Sequence, residues 1–233
     1  MYLQYLIFAA PVLILSLFAQ AKVNGAYKKY SKIQNSRGIT GAMAAQMILN
    51  FYGITDVRIE CCSGKLTDHY SPNEKVIRLS QGVYGSSTVA AVGIACHEAG
   101  HAAQHAENYL PNRIRTALVP VTNIGSRFGL LIAFAGYFLA YFSMGEFAQF
   151  IIIFGLALYG LVAVFQLVTL PVEFNASRRA LDVIESNDML ADEEYTGAKK
   201  VLSAAALTYV AALATAIVNL LYYATRLLGN RRR

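Results

Sequence analysis

The feature that most restricts how this chain can fold is the run from Phe128 to Val172, which carries a single charged residue, Glu146. At a rise of about 1.5 Å per residue, each half of this run is about as long as the ~30 Å hydrocarbon core of a bilayer. The sequence therefore predicts a hairpin of two membrane-spanning helices, over residues 128–144 and 148–171, with Glu146 in the short turn between them.

Two further uncharged runs are long enough to cross a membrane. One occupies residues 2–21, and the other occupies residues 201–225 and ends at Arg226. Because no basic residue precedes the first run, it is predicted to be a retained anchor and not a cleaved signal peptide. Only 15% of the chain is charged and 56% is hydrophobic, whereas about 25% of a soluble domain is charged. This composition excludes an ordinary soluble domain and a disordered chain.

The basic residues predict how the chain is oriented. With four spans, residues 22–127 and 172–200 lie on the same side of the membrane, and they contain 16 of the 20 Lys and Arg residues. Since loops rich in Lys and Arg stay in the cytoplasm, we expect both segments at the cytoplasmic face of the cell membrane. The cluster Arg231–Arg233 then lies on the opposite side. Most basic residues flank apolar segments and form no separate patch, so no nucleic-acid partner is expected.

Several short elements are predicted in the first of these segments. Thr40 can cap a helix that stops at Gly53. Three extended runs follow, which predict a small β-hairpin or three-stranded sheet, at residues 57–60, 65–70 and 75–80. The last run is expected to be an edge strand, to which a peptide could add by backbone hydrogen bonds. Ser86 or Ser87 can cap the next helix, which is predicted to run to about Glu107.

This last helix carries the H-E-x-x-H pattern, from His97 to His101. Residues four apart lie on one face of a helix, so both imidazoles can reach the same zinc ion. Glu98 lies beside that face, where it can take a proton from a zinc-bound water. The sequence therefore predicts a catalytic Zn²⁺ site with His97 and His101 as ligands and Glu98 as the general base.

A catalytic zinc site needs a third protein ligand and one open position. Glu173 is the first candidate, because it follows the third predicted span in a helical segment on the same side as the H-E-x-x-H helix. Asp182 and Glu185 compete with it. His105 lies on the same helical stripe as the two histidines, but about 12 Å of helix separates it from His97. We therefore expect His105 to pack near the site or support it, and not to bind the ion.

Four segments resemble the YugP-type neutral zinc metallopeptidases of bacterial membranes, and the resemblance covers nearly the whole chain. They are Leu66–Pro72, Cys96–His101, Leu170–Phe174 and Ala204–Ala211. The H-E-x-x-H motif followed by Glu173 is also similar to the wider gluzincin membrane peptidases, which include the HtpX-like and CAAX prenyl proteases. The resemblance implies that His97, His101 and Glu173 are zinc ligands and that Glu98 is the catalytic base.

The chain departs from the HtpX-like pattern at one position. That pattern has an Asp four residues after the ligand Glu, where it supports a ligand histidine, and this chain has Ser177 there. Because ligand histidines are usually held by a hydrogen bond to their second nitrogen, we expect Asn175, Ser177 or Asp182 to take that role.

Together these features predict a mainly α integral membrane protein, a single domain over residues 1–233. About four transmembrane helices would carry a zincin-like α+β cytoplasmic portion, formed by residues 22–127 and 172–200. The expected activity is zinc-dependent endopeptidase cleavage of unfolded or membrane-associated polypeptides at the bilayer surface. The small residues between Ser203 and Ala216 permit close helix contacts with a membrane-protein partner or a second copy of the chain.

Two other functions stay open, a non-catalytic membrane scaffold that retains a structural zinc site and a small-molecule zinc hydrolase. Three residues are candidate oxyanion donors, namely His69, Tyr209 and Arg178. A transporter is disfavoured, because Glu146 lies in the predicted turn and the apolar segments contain no ionisable residue deep enough to mark an ion path. The three cysteines imply no disulfide framework and fit no four-Cys zinc pattern.

Overall fold

The computed structural model describes residues 2–142 and 145–229. The helices of this part of the chain are α1 (Tyr2–Tyr30), α2 (Gly41–Phe51), α3 (Gln81–Tyr84), α4 (Val89–Ala106), α5 (Leu110–Tyr141), α6 (Gly145–Ser186) and α7 (Asp192–Gly229). The strands are β1 (Arg58–Cys62), β2 (His69–Ser71) and β3 (Val76–Ser80). The prediction of a mainly α membrane protein with a small sheet is confirmed.

Helices α1, α5, α6 and α7 are long and apolar enough to cross a membrane. The qualifying stretches are Tyr5–Tyr30, Leu110–Ala140, Gly145–Ser186 and Asp192–Leu228. Four such helices were predicted, although each is longer than its apolar run because helical hydrogen bonding continues into the flanking polar residues. Large apolar side chains on these helices are exposed, as a lipid-facing surface requires, among them Leu131, Phe150 and Leu167. Residues 143 and 144, at the end of the second predicted span, lie outside the described residues.

The chain divides into two compact units. The first unit contains the described parts of Met1–Phe18, Ile114–Leu170 and Tyr209–Arg233. Here α5 and α6 touch through their backbones, since a Cβ added to Gly129 would lie 2.7 Å from the backbone nitrogen of Tyr159. This close packing agrees with the predicted hairpin. Glu146 lies in the first turn of α6 and not in the connecting turn, and a carboxylate at that position is stabilised by the helix dipole.

The second unit contains Ala19–Arg113 and Pro171–Thr208. One cluster of buried apolar residues forms its core, drawn mainly from α2, α4, β3 and the parts of α6 and α7 that belong to this unit. The largest of its fully buried side chains include Ile48, Leu49, Ile77, Leu79 and Ile184. Alanines such as Ala95 and Ala99 are also fully buried on α4. Their small size lets neighbouring elements pack closely against this helix.

The sheet has the strand order β1-β3-β2, so β3 is its central strand. β1 pairs with β3 in parallel, with Arg58 opposite Val76, and β2 pairs antiparallel, with Tyr70 opposite Ile77. The prediction that residues 75–80 form an edge strand is therefore wrong. Val76, Ile77 and Leu79 are fully buried, so apolar residues on both faces of this strand are covered, which is typical of the middle of a sheet. The free edges belong to β1 and β2.

The N-termini of α2 and α4 are both capped by threonines. Thr40 caps α2, as predicted, and its side chain accepts a hydrogen bond from the Met43 N–H. α4 is capped by Thr88, whose Oγ1 accepts from the Ala91 N–H, and not by the serines that were predicted. Ser87 instead donates to Gln34, and Ser86 donates to Thr88 itself. Both serine hydroxyls have other partners, and the helix begins at Val89.

Candidate metal centre

Helix α4 presents His97 and His101 on one face. Their ring centroids are 4.7 Å apart, with the two ring planes nearly perpendicular. Both side chains are mostly covered, with exposed fractions of 14% for His97 and 13% for His101. The spacing of four residues in the sequence thus produces two neighbouring imidazoles that point to the same place.

Glu173 comes from the part of α6 that belongs to the same unit, and its side chain is 2% exposed. Its Oε2 lies 3.3 Å from Nε2 of His97 and 3.4 Å from Nε2 of His101. One ligand atom from each of the three residues lies within 4.8 Å of the other two. The structure therefore brings together the three residues that were predicted as ligands, although they are separated widely in the sequence.

The two competing ligand candidates lie elsewhere on α6. Asp182 and Glu185 are exposed, and they follow Glu173 by roughly 13 Å and 18 Å of helix rise. Among the described residues, His97, His101 and Glu173 form the one group of His, Cys, Asp or Glu side chains close enough to hold a metal ion. Glu173 is accordingly the third ligand that the geometry favours.

A glycine brings the two helices of the site into contact. A Cβ added to Gly100 would lie 2.7 Å from the backbone oxygen of Ala176, a distance that real Cβ atoms do not reach without displacement. The backbones of α4 and α6 therefore meet next to His101. This close approach places the Glu173 carboxylate within reach of both imidazoles.

Each histidine is held by a hydrogen bond through its second nitrogen. Nδ1 of His97 lies 3.1 Å from Oγ of Ser177, and Nδ1 of His101 lies 3.0 Å from Oε1 of Gln104. Ser177 was one of three predicted candidates for such a role. Gln104 was not predicted to take this role. Its side chain is polar and fully buried on α4, and this burial is recognisable only once the helix is placed in the fold. Both contacts leave Nε2 directed to the centre of the site.

The donor set fits a zinc ion. Two imidazole nitrogens and one carboxylate oxygen are the ligands of one common class of catalytic zinc site, in which a fourth position stays open. The electrostatics agree with a site for a cation, since Glu173 puts a buried carboxylate next to both rings. Burial by itself lowers the pKa of His101, but the hydrogen bond and charge of Glu173 outweigh burial, and the pKa of this imidazole is raised.

Glu98 projects beside the α4 face that carries His97 and His101, and it is partly buried. Its Oε2 accepts a hydrogen bond of 3.1 Å from the backbone N–H of Tyr70 on β2. This contact fixes the carboxylate next to the two histidines without making it a fourth member of the ligand group. It also shows that the Tyr70 N–H points away from β3, so the outer edge of β2 faces the site.

His105 lies outside the ligand group and binds Tyr70 instead. Its Nδ1 lies 2.9 Å from the Tyr70 hydroxyl. Burial raises the pKa of Tyr70 to about 12, so this hydroxyl keeps its proton at neutral pH. Tyr70 therefore joins β2 to α4 at two points, through its backbone to Glu98 and through its side chain to His105. The latter contact agrees with the supporting role expected of His105.

The three candidate oxyanion donors have different positions. His69 is exposed on β2, and its Nδ1 lies 2.8 Å from the Thr67 carbonyl oxygen. Arg178 is exposed on α6. Tyr209 belongs to the first unit, whereas the three candidate ligands belong to the second. None of these positions identifies its residue as an oxyanion donor.

Comparison with known proteins adds an independent finding. The profile of one family, described as "Putative neutral zinc metallopeptidase", matches residues 5–228. The chain is also similar to a curated protein of Bacillus subtilis (strain 168), "Putative membrane protease YugP". The two sequences are 42% identical over 217 residues, which is 93% of each chain. No solved structure matches the chain.

Proposed function

The chain belongs to this family of neutral zinc metallopeptidases, and we propose that it is a membrane-bound zinc endopeptidase of the H-E-x-x-H gluzincin type. The observation that carries the proposal is the group formed by His97, His101 and Glu173, with Glu98 directly beside it. A purely structural zinc site would gain nothing from that glutamate, because structural sites are closed by four protein ligands.

In this proposal Nε2 of His97, Nε2 of His101 and a carboxylate oxygen of Glu173 hold the zinc ion. When bound, zinc supplies a Lewis acid that activates water and polarises a peptide carbonyl. Ser177 and Gln104 keep the two rings oriented through their Nδ1 atoms. The buried position of Glu173 excludes water from one side of the site, which strengthens its attraction for the cation.

Glu98 is the proposed general base. Its carboxylate accepts the proton of the attacking water and later returns it to the amine of the leaving peptide. The Tyr70 N–H holds one carboxylate oxygen, so the other oxygen is free to turn to the water. A base in this position needs no large movement to reach the reacting atoms, because it follows directly after the ligand His97 on α4.

The proposed substrates are unfolded or membrane-associated polypeptides. Because β3 is central, the strand edge that faces the site belongs to β2, where the Tyr70 N–H points to Glu98. An extended substrate segment beside this edge passes the proposed base and the metal ligands. The Tyr70 N–H is already bound to Glu98, so recognition of a substrate backbone falls to the other main-chain groups of this edge. Such recognition depends weakly on sequence, which suits cleavage of diverse polypeptides.

The site is proposed to face the cytoplasm. The metal-binding residues lie on segments 22–127 and 172–200, which contain most of the Lys and Arg residues of the chain. Chains insert so that such segments remain on the cytoplasmic side. Helices α6 and α7 continue from these segments into long apolar stretches, so the substrates expected to reach the site are those at or near the bilayer surface.

The test compares variants of the detergent-purified chain in zinc content and in cleavage of casein. Glu98→Gln is expected to bind about one zinc ion per chain and to lose cleavage, whereas His97→Ala and Glu173→Gln are expected to lose both. Glu185→Gln is the matched control, because it changes an exposed carboxylate on the same helix as Glu173, and it should behave as the wild type. Cleavage by Glu98→Gln would contradict the mechanism, and full zinc binding by Glu173→Gln would contradict the ligand assignment.

A further inference from the structure

A chain of hydrogen bonds leads away from His101 on the side opposite the metal position. Gln104 accepts from Nδ1 of His101 through its Oε1. Its amide nitrogen donates to the Val172 carbonyl at 2.8 Å and to Oδ1 of Asn175 at 2.9 Å. The same Oδ1 accepts from Nε of Arg179 at 2.8 Å. Two side chains, Gln104 and Asn175, thus connect a proposed zinc ligand to an arginine.

The chemistry of Arg179 determines which atom donates and which accepts in this series of hydrogen bonds. A guanidinium group has only N–H donors and keeps its charge at every accessible pH. The amide atom of Asn175 that faces Arg179 must therefore be the oxygen. That oxygen also faces Gln104, so the Gln104 atom nearest to it must be the nitrogen, and the oxygen of Gln104 is left to face His101.

Reversing the amide of Gln104 would be costly. Its oxygen would then face two other oxygens, those of Val172 and Asn175, and its two N–H groups would face Nδ1 of His101. Gln104 is fully buried, so no water can repair the lost hydrogen bonds, and unsatisfied buried polar groups are expensive. The observed orientation makes Nδ1 of His101 a donor. In the neutral form of this imidazole, which is the form that binds zinc, the lone pair then lies on Nε2, the nitrogen that points to Glu173.

Arg179 is itself held firmly. It forms an ion pair of 2.7 Å with Glu107, the residue after α4. Its guanidinium lies over two aromatic rings, 5.6 Å from the centre of Tyr52 and 5.9 Å from that of Tyr109. Because its side chain is only 17% exposed, Arg179 keeps one position relative to Asn175.

We propose that Arg179, Asn175 and Gln104 are positioning residues that fix the tautomer of His101 and prepare its Nε2 to bind zinc. The inference rests on the zinc site of the proposed function. The other histidine lacks such a device, because the Ser177 hydroxyl beside His97 can donate or accept. One ligand is thus set in advance by the protein, while the other can adjust when the ion binds.

The test measures zinc affinity by competition with a chelator, on the full-length chain purified in detergent. Asn175→Leu removes the acceptor, and we expect it to weaken zinc binding by about 10- to 100-fold, the usual effect of losing a hydrogen bond behind a metal ligand. Asn175→Asp keeps an acceptor oxygen for both Gln104 and Arg179, and it should stay within about threefold of the wild type. Equal losses in the two variants would reduce Asn175 to a packing role and overturn the proposal.

A second pair of variants tests the arginine. Arg179→Gln removes the fixed donor and should weaken zinc binding by about tenfold, whereas Arg178→Gln, an exposed neighbour on the same helix, should leave zinc affinity unchanged. If Asn175→Leu does not fold, this pair decides the question, because wild-type affinity in Arg179→Gln overturns the proposal. Failure of the zinc site itself is distinguishable, since the wild type would then bind no zinc or His97→Ala would bind it normally.

Discussion

The backbone N–H of Tyr70 donates a hydrogen bond of 3.1 Å to the Glu98 carboxylate. This contact joins the outer edge of β2 to the residue proposed as general base. The two residues lie 28 positions apart in the sequence. Because the donor is a backbone group, no side-chain pattern predicts this contact. The proposed base is thus oriented by the same strand edge that is proposed to lie along the substrate.

Replacing Tyr70 by proline tests that hydrogen bond. The Tyr70 N–H points away from β3, so a proline removes no ladder hydrogen bond, and proline is tolerated on strand edges of this kind. Tyr70→Ala is the matched variant, because it removes the same side chain and keeps the N–H. A hydrogen bond to a charged group contributes about 1.5 kcal/mol or more. We therefore expect kcat for casein cleavage to be about tenfold lower in Tyr70→Pro than in Tyr70→Ala, with zinc content unchanged in both.

Equal kcat values in the two Tyr70 variants would show that the N–H has no part in orienting Glu98. Tyr70→Phe separates the other contact, since it removes only the hydroxyl that binds His105. This variant should retain wild-type cleavage at moderate temperature. Its free energy of unfolding should fall by about 1 kcal/mol, the contribution of one hydrogen bond. This loss is measured as a lower Tm.

Gly100 offers a test of the contact between α4 and α6. An added Cβ would meet the Ala176 backbone oxygen at 2.7 Å, and backbone cannot move aside as a flexible side chain can. Gly100→Ala should therefore destabilise the chain by about 1 to 3 kcal/mol, the usual cost of overpacking, and weaken zinc binding because the helices separate at His101. Gly25→Ala is the control, since a Cβ there meets nothing within 4 Å. Thermal unfolding and zinc titration measure both effects, and unchanged zinc affinity in Gly100→Ala would show that this contact does not set the ligand geometry.

The H-E-x-x-H pair could be predicted from the sequence because its geometry is local. Residues four apart on any helix share a face, whatever surrounds them. Glu173 could be predicted for another reason, since it follows a long apolar run in a helical segment on the same side of the membrane as the H-E-x-x-H helix. Its contact with both histidines, by contrast, depends on how closely α4 and α6 pack. Gly100 permits that approach, but a glycine inside a helix does not by itself identify the partner.

The errors of prediction arose where neighbouring elements compete. Residues 75–80 were expected at an edge, and strand order depends on pairing partners that the pattern of one strand does not specify. Thr88 was overlooked as the cap of α4, because Ser86 and Ser87 have equally suitable hydroxyl groups. Only the contact of Ser87 with Gln34, 53 positions away, shows why it is otherwise engaged. The role of Gln104 as a hydrogen-bond partner of His101 could likewise not be predicted, because it depends on the contacts of Gln104 with α6.

The cap of α4 gives a third prediction. Thr88→Ala removes the side-chain acceptor of the Ala91 N–H and should lower stability by about 1 kcal/mol, the typical cost of losing an N-cap. Ser86→Ala removes a neighbouring hydroxyl that does not accept from the helix, and its effect should be smaller. The two Tm values, measured on zinc-free protein, decide which residue caps the helix. A larger loss in Ser86→Ala would contradict the assignment of Thr88.

Removal of the metal gives the last prediction. A ligand that binds only the folded chain stabilises it by about 2.7 kcal/mol when its concentration is 100 times Kd. Zinc added to chelator-treated wild type should therefore raise Tm in a concentration-dependent manner, and Glu98→Gln should show the same rise because it keeps all three ligands. Glu173→Gln should show little rise, since a neutral amide oxygen replaces the buried carboxylate between the two imidazoles. Equal shifts in Glu173→Gln and in the wild type would contradict Glu173 as a zinc ligand, and Glu185→Gln, the control on the same helix, should shift as the wild type does.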